Sequence, residues 1–60
     1  MTYELRLSRA QIIKDRQRWE ETPLFLAQHL FQKEHGVQIE SFELRSDPGS
    51  DGFVLVGRTG

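Results

Sequence analysis

The side chains able to do chemistry are His29 and His35, the hydroxyls of Ser8, Ser41, Ser46 and Ser50, and the carboxylates Glu40, Glu43, Asp47 and Asp51. The two histidines fall in one helical segment, six residues and therefore about 240° apart around its axis, so they do not share a face as an i, i+4 metal pair does. Plainer roles suffice for both: His29 sits on a helix flank, and His35 lies in a last turn, where a cation suits the helix dipole. Ser8 stands where a helix begins, Ser41 where a strand pattern slips, and Ser46 and Ser50 around a turn. The sequence places no histidine to activate any of them as a nucleophile. Asp47 and Asp51 could offer oxygen ligands to a hard cation, but Asp-Pro-Gly-Ser-Asp-Gly lacks the 12-residue loop and terminal bidentate glutamate of an EF-hand. Turn chemistry explains that run better. A chain of 60 residues also offers little concave volume for a water-excluding site. The expectation is therefore a non-catalytic chain, with no cofactor, no metal and no small-molecule substrate indicated.

Binding chemistry is better represented. Net charge is only −1, so no global field marks nucleic acid or anionic lipid as a partner. The distribution is uneven, however. Up to Trp19 the chain carries Arg6, Arg9, Lys14, Arg16 and Arg18 against Glu4 and Asp15, and from Glu20 onward the carboxylates dominate. Those five cations could contact phosphates through charge-assisted hydrogen bonds, and they are the candidate residues for a nucleic-acid accessory role. Against that stand the weakly acidic total, the lack of an aromatic stacking platform, and the missing 3 to 4 residue turn of a helix-turn-helix. Trp19 packs by default, but tryptophan and arginine are also the commonest interface hot spots. Trp19 with Arg16 is thus a candidate protein contact.

The elements that position these groups can be read locally. Tyr3, Leu5 and Leu7 alternate with Glu4 and Arg6, the period-two pattern of a strand with one buried face. Ser8 followed by Gln11 spells a capping box, so a first helix starts there. Its apolar stripe is narrow, with Ile12, Arg16 and Trp19 on one face and Ala10 and Ile13 beside it. Thr22 offers an N-cap hydroxyl and Pro23 suits a first helical position. The second helix runs to His35 and is closed by Gly36. Leu24, Ala27 and Phe31 share one of its faces, flanked by Leu26 and Leu30, which predicts the centre of the core. Almost nothing separates Glu21 from Pro23, so the two helices meet at a sharp corner or kink.

Strand pattern returns after Gly36, slipping near Glu40 and Ser41 in a way that predicts a bulge or a change of buried face. Asp47 to Ser50 predicts a type II turn, and Phe53 to Val56 the returning strand. The predicted architecture is α+β, a small β-α-α-β-β domain over residues 1–60. Its three-stranded sheet has a C-terminal hairpin and two helices on one face. Which hairpin strand pairs with the first strand is left open.

Phe53, Val54, Leu55 and Val56 carry most of the functional expectation. Successive strand residues point to opposite faces, and all four are apolar. Two short helices cover one face of a three-stranded sheet, leaving Val54 with Val56, or Phe53 with Leu55, available to a partner. A chain this short buries little core, and with no cysteine it has no disulfide to compensate. Both points favour a protein-interaction or regulatory module that self-associates or docks a partner on the open face or sheet edge. Its first seven residues hold no signal-peptide run and no stretch approaches a membrane span, so a soluble, cytoplasmic setting is expected.

Overall fold

The computed structural model describes all residues, Met1–Gly60. Six elements follow one another: β1 (Thr2–Leu7), α1 (Arg9–Lys14), α2 (Arg16–Glu21), α3 (Pro23–His35), β2 (Ser41–Ser46) and β3 (Phe53–Arg58). The strands form one antiparallel sheet in the order β1-β3-β2, and the helices pack on one of its faces. This is the expected α+β arrangement, with the predicted first helix divided in two. The C-terminal strand is central, so the N-terminal strand pairs with the second arm of the hairpin and both β1 and β2 are edges.

The local signals operate as their chemistry requires. The Ser8 N–H donates to Gln11 Oε1 (2.9 Å) and the Gln11 N–H to Ser8 Oγ (3.2 Å), completing a capping box. Pro23 opens α3, and Gly36 ends it in the left-handed region at φ 65°. Four details depart from the sequence reading. At Asp15 the backbone leaves the helical region (φ −101°, ψ 20°) and separates α1 from α2, although i to i−4 bonds bracket it on both sides; the Asp15 side chain makes no capping hydrogen bond, and aspartate has a low intrinsic preference for a helix interior. Thr22 occupies the corner between α2 and α3, but its hydroxyl makes no cap bond.

The slip near Glu40 is not a bulge. β2 begins only at Ser41, and the preceding segment tucks Ile39 into the core, where its carbonyl accepts from Gln28 Nε2 (3.2 Å). Finally, Gly49 does not take positive φ, so the hairpin turn is not type II. The Asp47 carbonyl accepts from the Ser50 N–H (3.3 Å) while its carboxylate accepts from the Gly49 N–H (2.9 Å). That Asx arrangement, with proline second, favours a type I geometry.

The core consists of Leu7, Ala27, Phe31, Ile39 and Leu55, with Tyr3, Leu5, Ile12, Trp19, Leu30, Phe42 and Leu44 packed around it. Register explains the membership. Tyr3–Gly57–Phe42, Leu5–Leu55–Leu44 and Leu7–Phe53–Ser46 form successive rows across the sheet and face the helices. At Gly57 the rows meet α3 so closely that a Cβ there would lie 2.7 Å from both Ile39 Cγ2 and Phe31 Cε2. On α3 the buried residues are Leu26, Ala27 and Phe31, so the core face is turned away from Leu24, which is 40% exposed, and Ile13 on α1 is also exposed. No helix is long and apolar enough to cross a membrane.

Candidate functional site

The rows between the core rows define the sheet's other face. Thr2–Arg58–Ser41, Glu4–Val56–Glu43 and Arg6–Val54–Arg45 lie in register, and no element packs over them. Of the four apolar residues expected to need cover, Leu55 is fully buried under the helices and Phe53 is half-buried on the same side. Val54 and Val56 occupy the open face. They are nonetheless not a bare patch: Val56 is 7% exposed and Val54 half-buried. Each valine has a charged residue on either side, and long charged side chains shelter apolar neighbours with their stems. The face is an apolar stripe along β3 between two charged rails, Glu4–Arg6 on β1 and Glu43–Arg45 on β2.

Charge on this face is internally organised. Arg45 Nη2 donates to Glu43 Oε2 at 2.8 Å. That contact holds the Glu43 carboxyl below the usual carboxylate range and raises the Arg45 guanidinium, with Arg58 and Glu4 adding smaller effects in the same directions.

The candidate cations do not gather into one stripe. Arg6 lies on the open sheet face. Arg9 reaches Asp51 (3.4 Å) and Arg16 reaches Glu20 (3.2 Å), both exposed pairs of the kind worth little individually. Arg6 and Arg9 line an open groove of about 600 Å³ between the β1–α1 junction and the hairpin loop, together with Asp47 and Asp51. Each guanidinium there has an acidic neighbour. The serines of this groove are engaged locally, Ser8 in its cap and Ser50 donating to Asp47 Oδ2 (3.0 Å), and no histidine lines it. The Asp47 carboxyl is held below its ordinary range first by the Gly49 N–H and then by the Ser50 hydroxyl. No three His, Asp or Glu side chains converge anywhere in the chain.

Trp19 is half-buried and stands 6.2 Å, ring centre to ring centre, from Phe42 of β2. It anchors α2 to the helix-covered side of the sheet. His35 lies between the rings of Tyr3 (5.6 Å) and Phe31 (5.9 Å), with Nε2 3.1 Å from the Glu4 carbonyl oxygen, closing the end of α3 onto β1.

One residue missed by the sequence reading is Phe25. It points away from the core and is 73% exposed. Beside it a hollow of about 280 Å³ is lined by Arg18, Thr22, Phe25, Leu26 and His29. A second depression, lined by Lys14, Asp15, Gln17 and Arg18, adjoins it through Arg18. Neither Lys14 nor Arg18 belongs to an ion pair. The signal was present in the helical period: Phe25 is about 160° around the axis from Ala27, opposite the core face. No protein-family model, curated protein or solved structure matches this chain.

Proposed function

We propose that this chain is a non-catalytic protein-interaction module whose contact surface is the outer side of the α2–α3 corner. The observation that carries the reading is Phe25, a large aromatic side chain left 73% exposed at the rim of a hollow floored by buried Leu26. Exposing a phenylalanine forgoes roughly 1.5–3 kcal/mol of burial. Aromatic and arginine side chains together are the usual anchors of protein interfaces. Arg18 and His29 border the hollow, and Lys14 lies in the adjoining depression. The fitting partner is therefore a segment that seats an apolar side chain against Phe25 and Leu26 and directs carboxylates toward Arg18 and Lys14.

In-cell photo-cross-linking tests this. A photoreactive residue at position 25 is expected to give discrete protein adducts that Arg18→Glu removes, while the same probe at exposed Gln38 gives none of them. Equal labelling from both positions, or adducts indifferent to Arg18→Glu, would overturn the reading. An adduct with nucleic acid in place of protein would replace it with phosphate recognition by the same cations.

A further inference from the structure

The open sheet face has a property that a merely solvated face does not require: it is complementary to itself. Along β1 the exposed side chains run Glu4 then Arg6, and along β2 they run Glu43 then Arg45, each pair aligned with Val56 and Val54 of the central strand. One row across the sheet is therefore acid–Val–acid and the next is base–Val–base. We propose that this face pairs with the same face of a second copy of the chain, forming a two-fold symmetric dimer.

The charge order selects the geometry. Two stacked sheets can be related by a two-fold axis along the central strand or by one perpendicular to the strands. An axis along β3 sets Glu4 over Glu43 and Arg6 over Arg45, like upon like. An axis perpendicular to the strands, passing between the Val54 and Val56 rows, sets Glu4 over Arg6 and Glu43 over Arg45 of the second copy. Val56, only 7% exposed, then lies over Val54 beneath the stems of the flanking charged side chains, so the charged rails make most of the contact. The same rotation carries Arg58 over position 52 of the other copy, at the hairpin loop that holds Asp47 and Asp51. Every charged residue of the rails meets its opposite, and the contact is isologous, as closed dimers require. The central strands run antiparallel in this arrangement, with room for the crossing angle of about −30° that twisted sheets adopt.

Size sets the strength. Three strands about 4.8 Å apart and six residues long, at about 3.3 Å per residue, present a face of roughly 300 Å² in plan. Stable complexes bury about 800 Å² per partner, so the dimer is a weak, concentration-dependent one, and its charged rails make it sensitive to salt. It uses none of the Phe25 surface and stands or falls separately from it.

Sedimentation equilibrium with charge-swapped variants tests the dimer. Wild-type protein raised toward millimolar concentration is expected to approach dimer mass in about 20 mM salt and to return to monomer in about 500 mM salt. Glu4→Arg with Glu43→Arg makes both rails wholly basic, and Arg6→Glu with Arg45→Glu makes both rails wholly acidic. Each double variant alone is expected to be monomeric, and their equimolar mixture to dimerise. Far-UV circular dichroism establishes that each is folded. The milder Glu4→Gln with Glu43→Gln, which removes charge without reversing it, is expected to weaken the dimer about tenfold and serves where a reversal unfolds the chain. Phe25→Glu is expected to leave the dimer intact. Wild-type protein that stays monomeric throughout the low-salt series, a single-sign variant that dimerises alone, folded reversal variants that stay monomeric when mixed, or a neutral variant with unchanged affinity would each overturn the proposal.

Discussion

Replacing Gly57 with alanine adds one carbon atom at the most crowded point between sheet and helix. That carbon would lie 2.7 Å from Ile39 Cγ2, 2.7 Å from Phe31 Cε2 and 2.9 Å from Phe31 Cζ. Carbon atoms rest about 3.5–4.0 Å apart, so each contact is short by roughly 1 Å. Retreat is blocked, because Phe31 and Ile39 are both fully buried. Overpacking of this kind costs about 1–3 kcal/mol, against a gain of about 0.4–1 kcal/mol from stiffening the unfolded chain. The net expectation is a loss of about 1–2 kcal/mol. In a domain of this size that lowers the melting temperature by roughly 5–15 °C and removes a large part of a total stability of about 3–9 kcal/mol. Urea unfolding followed by Trp19 fluorescence and by circular dichroism measures it. Phe31→Leu removes two of the three contacts, so the double variant with Gly57→Ala is expected to lose less than the sum of the single losses. A Gly57→Ala protein with a midpoint at or above wild type would refute the packing argument.

Gly36 offers the contrasting case, since its φ of 65° needs glycine while nothing lies within 4 Å of the point an alanine methyl would occupy; Gly36→Ala is expected to cost about 1 kcal/mol by thermal unfolding and Gly36→Asn less. Asp47 tests the hairpin turn. Its folded carboxyl titrates below the ordinary range because Gly49 and Ser50 donate to it, so its contribution to stability is complete above the usual aspartate pKa of about 3.9. That contribution is lost as pH falls through the lower folded value. Asp47→Asn keeps an acceptor for Gly49 and is expected to flatten the acid limb of a plot of urea midpoint against pH. An unchanged acid slope would exclude the turn as its source.

The division between what could be read and what could not follows the range of the forces. The capping box at Ser8, Pro23 at the head of α3 and Gly36 at its foot act within a few residues, and each was legible because side chain and backbone partner are neighbours in sequence. Period-two alternation likewise placed Tyr3, Leu5 and Leu7 on one face of β1. The break at Asp15 and the turn at Asp47 were harder, since one depends on a small change in two dihedral angles and the other on which hydrogen bonds the aspartate accepts. Ile39 shifted the apparent strand start because an apolar residue entering the core from a connecting segment looks, in sequence, like part of the strand's alternation.

The C-terminal Phe53–Val56 run could be recognised from sequence as a strand with two apolar faces, and the chain as a small α+β unit. Only the tertiary structure decided that this strand is central and that Val54 and Val56 lie between rails of glutamate and arginine. Those outcomes depend on which distant segments pair and on where α3 settles over Gly57. Contacts among residues tens of positions apart make that choice, and no local pattern encodes it.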